Sequence, residues 1–176
     1  TSPVTGLWFN IYGGYQDLKN NLASAAIANY SGSYLQLLQG NMHNIYAGAE
    51  ASYSYKDIIS FTASGIYRDW KTAKTENNSG DQLLYYMPSF EANFKVDIRP
   101  ISSVLINLGY QHITREKIGN ERVDPVGNLY LGGSYEVFEG ISIYVRANNL
   151  LNKDYQYYPG YPTEGINFMG GVSFRF

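Results

Sequence analysis

Pro88-Ser89-Phe90-Glu91-Ala92-Asn93-Phe94-Lys95-Val96-Asp97-Ile98 is the stretch that decides the fold. Pro88, Phe90, Ala92, Phe94, Val96 and Ile98 alternate with Ser89, Glu91, Asn93, Lys95 and Asp97. An extended chain puts the first set on one face and the second on the other. A single-residue slip would exchange the faces, so the register is strongly specified.

Working outward, the same period of two recurs in seven more segments. Their apolar sets begin with Leu7, Phe9, Ile11, Gly13 and Tyr15, then Ile45, Ala47, Ala49, Ala51, Tyr53 and Tyr55, then Ile59, Phe61, Ala63, Gly65 and Tyr67. Downstream come Val104 to His112, Leu129 to Val137, Ile141 to Asn149 and Ile166 to Phe176, each read at every second residue. None of these positions is Asp, Glu, Lys or Arg, and the two clearly polar members, His112 and Asn149, fall at strand ends. The opposite faces hold Asn10, Gln16, Ser52, Thr62, Asn107, Gln111, Asn128 and the charged residues. Each segment is about 9–12 residues long, the length that crosses a bilayer when tilted.

The connections alternate too. Lys56-Asp57-Ile58, Arg99-Pro100-Ile101-Ser102 and Phe138-Glu139-Gly140 read as tight turns. Asp17–Asn44, Trp70–Tyr86, Thr114–Val126 and Leu151–Gly165 read as long loops. Short turns on one side and long loops on the other are the pattern of bacterial outer-membrane barrels. The tight turns and both chain ends are then expected on the periplasmic side. The expected fold is all-β, an antiparallel up-and-down transmembrane barrel with eight strands in this chain.

Composition agrees. Lys and Arg total 13 and Asp and Glu 15 in 176 residues, a net charge of −2 that offers no basic face for nucleic acid. There is no Cys, hence no disulfide framework and no thiolate metal site. Tyr and Gly number 18 each, about a tenth of the chain, against roughly 7% for Gly in an average protein. Such a pairing suits twisted sheets with aromatic girdles. The mean hydropathy of −0.29 hides a membrane barrel, because only alternate residues face lipid. Thr1-Ser2-Pro3 is neither basic nor followed by an apolar run, so the chain is expected to begin after processing or partway into a longer protein.

A soluble eight-stranded barrel with the apolar face inward would show the same alternation. Three features favour the membrane. The face that would meet water carries few charges, Tyr53, Tyr55, Tyr67, Tyr110 and Tyr135 cluster toward strand ends where a lipid interface wants them, and the long loops lie on one side only.

The C-terminus ends Gly170-Gly171-Val172-Ser173-Phe174-Arg175-Phe176. A terminal Phe after alternating apolar residues resembles the signature by which outer-membrane barrels are recognised for insertion. That resemblance marks Phe168, Val172, Phe174 and Phe176 as an assembly signal, read by the barrel assembly machinery; otherwise they are a plain last strand. Val145-Arg146-Ala147-Asn148-Asn149-Leu150-Leu151-Asn152-Lys153-Asp154-Tyr155 resembles the penultimate strand and following segment of TonB-dependent receptors, and Tyr158-Pro159-Gly160-Tyr161-Pro162 with the Gly-rich last strand continues the likeness. Where members of that family often have Pro-Gly-Arg before the last strand, Glu164-Gly165-Ile166 stands here and only the Gly matches. The close likeness covers about the final 35 residues. It implies uptake of a siderophore, cobalamin or glycan-type nutrient across the outer membrane. Family barrels have 22 strands, so eight would be the C-terminal third, completed by further strands, a plug and TonB; nothing in the chain resembles the plug. The other possibility is a self-contained eight-stranded barrel with a structural or adhesive role. An open sheet edge cannot sit in lipid, so either other strands complete the wall or these eight close on themselves.

Parity directs eight ionised residues into the lumen: Glu50, Glu91, Asp97 and Glu136 against Arg68, Lys95, Arg146 and Arg175. In a closed small barrel they are expected to pair as a buried network; in a large one they line a wet wall. His43, read as a loop residue, and His112, on the lipid face, have no lumenal acid in phase, so no catalytic set, metal site or cofactor is expected. Tyr155, Tyr157, Tyr158 and Tyr161 are candidates for ligand contact because an aromatic ring offers rigid area and a polar tip; the plainer reading extends the girdle. Leu22–Ala28 and Tyr34–Leu38, in the first long loop, could form short helical turns over the barrel mouth.

Overall fold

A computed structural model describes residues 5–29, 32–72, 84, 87–115, 123–158 and 161–175, with the backbone alone for 21–39. Eight strands form one sheet: β1 (Leu7–Asn29), β2 (Gly32–Tyr55), β3 (Ile59–Thr72), β4 (Pro88–Ile98), β5 (Val104–Arg115), β6 (Val126–Phe138), β7 (Ile141–Asn148) and β10 (Asn167–Phe174). Between β7 and β10 lies a small separate hairpin, β8 (Gln156–Tyr158) with β9 (Tyr161–Pro162). Every neighbouring pair is antiparallel and sequential. Among the described residues no pairing joins β1 to β10, so the sheet is open.

The expected tight turns close three of the hairpins. Lys56 and Asp57 both have positive φ (49° and 55°), and the Ile58 N–H bonds the Tyr55 carbonyl at 3.0 Å. That is a type I′ turn, whose twist matches the strands it joins. Between β6 and β7, Gly140 (φ 79°) takes the left-handed position, and Glu136 Oε1 accepts its N–H at 3.2 Å.

Register holds the two faces apart across the whole sheet. Leu7, Tyr53, Phe61, Val96, Leu108, Leu131, Ala147 and Phe168 are paired strand to strand in one unbroken apolar row. Asn10, Glu50, Ser64, Asn93, Gln111 and Asn128 make a polar row over six strands. The apolar face is uncovered, with Ile11 at 76% and Phe168 at 79% exposure. An apolar patch of this extent marks a surface made for lipid or for another protein.

The apolar row also measures the tilt. It starts at the turn-side end of β1, at Leu7, and reaches β10 at Phe168, six residues short of that strand's turn-side end at Phe174. Six residues are roughly 20 Å of strand, set against roughly 34 Å for seven interstrand steps. The strands therefore lean by roughly 30°, close to the 35–45° of transmembrane barrels. On the apolar face the row Asp17, His43 and Lys71, with Asp69 opposite Ile45, closes the band above Tyr15, Ile45 and Tyr67. From Leu7 to Tyr15 the band is roughly 24 Å tall after tilt, near the ~25 Å of an outer-membrane barrel.

Two expectations change here. His43 lies in β2, opposite Asp17, and not in a loop. Leu22–Ala28 and Tyr34–Leu38 are paired strands and not helical turns, because β1 and β2 stay in register to Asn29 and Gly32. Helix preference in an Ala- and Leu-rich run is worth only tenths of a kcal/mol per residue, and a ladder already in register propagates at its expense. A bulge interrupts the pair between Leu18 and Asn21, where Asn20 takes φ 55° and donates its N–H to Asn41 Oδ1 at 2.9 Å.

Candidate functional site

The polar face carries the charged residues that sequence parity assigns to it, and pairs only some of them. Arg68 on β3 reaches diagonally to Glu91 on β4 and forms an ion pair. Lys95 and Asp97, two apart on β4, meet at 2.8 Å. Glu50 lies opposite Asn10 and Ser64, and Glu136 opposite Ser142, so cross-strand register gives neither a cation. Arg146 lies opposite Gly132 and Met169. Arg175 follows the end of β10 and is fixed by its backbone N–H to the Gly140 carbonyl. Among the described residues the four acids and four bases make two ion pairs, and Glu50, Glu136, Arg146 and Arg175 have none.

Four tyrosines on this face are not girdle residues. Tyr12 lies over Gly48, Tyr46 over Gly14, Tyr130 over Gly109 and Tyr144 over Gly171, each ring filling the place a Cβ would take. Every ring sits on its direct cross-strand partner. The arrangement lays large rings flat against the sheet and restores the packing a bare glycine forfeits. Sequence reading assigned the excess of Tyr and Gly to girdles and missed these couples. The signal was parity: each of these Tyr and Gly falls on the polar face of its segment.

At the loop-side rim, Met42 and Trp70 form a buried cluster with Leu18, Leu84 and Met87 against it. The Trp70 indole N–H donates to the Pro88 carbonyl at 2.9 Å. Asn44, fully buried below, donates its amide to Gln16 Oε1 at 3.1 Å.

The segment after β7 is built on two asparagines. Asn149, which parity puts at a strand end, directly follows β7 and is 1% exposed, with φ 51°. Its Nδ2 donates to the carbonyls of Lys153 (3.0 Å) and Glu164 (3.1 Å), and its Oδ1 accepts the Lys153 N–H at 3.1 Å. Its own N–H reaches Asn128 Oδ1 at 2.9 Å. Asn152 (φ 47°) accepts the Ile166 N–H on Oδ1 at 3.3 Å. Asn tolerates the left-handed region and satisfies backbone groups in the same stroke.

That bracket launches β8, which divides the four candidate tyrosines. Tyr155 is 4% exposed and meets the Tyr157 ring edge-on at 5.5 Å. Burial first, then Tyr157, pushes its hydroxyl up to about 12 from 10.0, with Thr163 pulling weakly the other way. Tyr157 turns onto the polar face: its hydroxyl donates to Gln111 Oε1 at 2.8 Å and accepts from Asn128 Nδ2 at 3.4 Å, while Arg115 bonds its carbonyl. Tyr158 and Tyr161, paired across the hairpin, stand 73% and 75% exposed. Two of the four are anchors and two are available.

Neither histidine faces the polar wall. His112 lies between Phe90 and Tyr110 at 6.3 Å from each, and His43 lies 5.9 Å from Tyr15, all on the apolar face. Among the described residues no three His, Asp or Glu side chains converge as metal ligands would. Of the assembly residues, Phe168, Val172 and Phe174 project from the apolar face of β10, and Phe176 lies outside the described residues.

With this geometry in place, known structures define the class. No protein-family profile and no curated protein matches the chain. The fold matches the copper transporter OprC over 99% of this chain and 30% of that one, at TM-score 0.76 and 18% identity. It matches the ferric-catecholate import receptor Fiu of E. coli K12 over 97% and 25%, at 0.67 and 13%. It also matches the outer-membrane-expressed OmpT of Vibrio cholerae over 98% and 53%, at 0.63 and 11%. The fold is that of a bacterial outer-membrane β-barrel wall, and OprC and Fiu are TonB-dependent receptors. The chain spans between a quarter and about half of the length of these structures.

Proposed function

We propose that this chain is the C-terminal barrel segment of a TonB-dependent receptor for nutrient uptake. The observation that carries the reading is the open sheet. β1 and β10 each keep one edge without a strand partner among the described residues, and unpaired backbone in lipid costs several kcal/mol per group. Further strands would close the wall, a plug would fill the lumen, and TonB would supply the coupling. The polar face lines the lumen, and Glu50, Arg68, Glu91, Lys95, Asp97, Glu136, Arg146 and Arg175 form part of that lining. Tyr158 and Tyr161 offer the extracellular contact surface for a ligand, held out by Tyr155 and Tyr157. On this reading the chain is one domain of wall without a plug and has no catalytic role. The barrel assembly machinery would recognise the last strand, and deleting Phe176 would impair insertion.

The test is a distance between spin labels on Asn10 and Ser173 in the full-length natural protein, folded in micelles. A separation of several strand spacings of ~5 Å is expected. Labels on adjacent strands would mean that the eight strands close alone, and would replace the receptor by a self-contained structural or adhesive barrel.

A further inference from the structure

The guanidinium of Arg146 is held in a manner that the other polar-face cations are not. Its Nε donates to Asn148 Oδ1 at 2.8 Å, and Asn148 donates in turn to Asn167 Oδ1 at 3.0 Å. Its Cζ sits 4.2 Å from the centre of the Tyr130 ring, itself seated on Gly109. Arg68 and Lys95 spend their charge on Glu91 and Asp97. Arg146 has no carboxylate among the described residues, and its direct cross-strand neighbours are Gly132 and Met169.

Freezing a long side chain is part of what association costs. Here one tether and one stacking ring have already frozen it, and beside it only the neutral Asn107 amide lies over Gly132. What remains is the end-on fork of Nη1 and Nη2, a donor pair matched to two oxygens of one anion. We infer that Arg146 is a preset oxyanion site on the inner wall, taking a carboxylate or phosphate end-on. The oxyanion has two sources: a carboxylate of the protein's own lumen-filling part, or a free anion in the lumen. The inference rests on the reading that the polar face lines a lumen.

The test uses the full-length protein in micelles with isotope-labelled arginine, following rotation about the Cζ–Nη bonds by NMR. Arg146→Gln identifies the signal, and Arg146→Lys does so should that variant fail to fold. Stacking on a ring leaves these bonds turning, whereas an end-on oxyanion slows them, by roughly tenfold for a charge-assisted pair. Slow rotation without added anion, unchanged by inorganic phosphate, assigns a carboxylate of the chain. Slow rotation only with phosphate assigns a free oxyanion. In both cases Asn148→Ala, which removes the tether, restores fast rotation. Fast rotation with and without phosphate overturns the inference. The label distance between Asn10 and Ser173 in the same preparation reports the receptor reading separately: a long distance with a freely turning guanidinium overturns this inference alone.

Discussion

Two segments leave the apolar band on the loop side, and they are held by different physics. The β1–β2 arm beyond Leu18 is a backbone ladder, paired residue by residue to Asn29 and Gly32 and set off by the bulge at Asn20. The segment from Asn149 to Ile166 has only a short hairpin of its own, yet side chains hold it: Asn149 and Asn152 brace it from within, and Tyr157 ties it to Gln111 and Asn128 on the wall. A ladder extends because each residue adds a bond to a partner already in register. A sewn segment depends on a few buried polar groups, each expensive to leave unsatisfied. Damage should therefore be concentrated in single residues of the second and diluted along the first.

Asn149 gives the largest expected effect. Asn149→Ala removes three side-chain hydrogen bonds from a site that is 1% exposed and forces Ala into a left-handed conformation. The expected loss is on the order of 3 kcal/mol or more, read as the urea unfolding midpoint in micelles. Asn149→Asp keeps the acceptor and the tolerance of positive φ but loses both donated bonds, and should fall between. A midpoint for Asn149→Ala within error of wild type would erase the contrast between the two segments.

Tyr155 sharpens it by pH. Its folded pKa, pushed up to about 12 by burial, lies above the ordinary 10.0. The folded state then holds a proton that the undocked state releases, so docking is fully stable below pH 10 and is lost as pH rises toward 12. Hydrogen exchange at the Thr163 N–H, which bonds the Tyr155 carbonyl at 3.1 Å, should show an added opening in that window. Tyr155→Phe, which cannot ionise, should remove the step; a step that persists assigns it to another group.

Tyr157→Phe is smaller. It deletes one donated and one accepted bond and leaves Gln111 and Asn128 to re-pair or to find water, a loss of about 1 kcal/mol. The hairpin should stay in place but exchange faster, while Tyr158 and Tyr161 keep their exposure.

The same contrast explains what was legible in the sequence. Alternation is a two-valued signal repeated over eight segments, and Pro88–Ile98 alone places Glu91, Lys95 and Asp97 on the polar face. The three tight turns were legible as well, because the conformations they need select their residues. Cross-strand pairing was not legible: whether Arg68 meets Glu91, or Tyr130 covers Gly109, depends on relative register between strands, which no single segment encodes. Asn149 misled because parity treats it as one more strand position, while its amide can satisfy backbone groups that exist only once the chain has turned. Resemblance marked the segment without supplying that reason. The arm misled in the opposite sense, since Ala and Leu suit a helix locally and their pairing is settled by the strands below.

Removing the arm should therefore do least. The variant replaces residues 21–39 by a short Gly-containing turn, which joins Asn20 to Gly40 near the bulge. All the residues removed lie beyond the row Asp17, His43 and Lys71 that closes the apolar band. Leu22 to Asn29 pair with Gly32 to Gln39, both within the excised stretch, so none of the barrel wall's ladder below the bulge is lost, and shortening a loop favours closure slightly, by well under 1 kcal/mol for a halving of length. Met42 and Leu18 must stay, because with Trp70 they cover the rim below the cut. The unfolding midpoint of the variant should match wild type within about 0.5 kcal/mol, and its insertion into lipid should proceed at the same yield. A large drop in stability would mean that the arm's side chains pack back onto the mouth. The arm would then be a second sewn segment, and its role would have to be sought in those contacts.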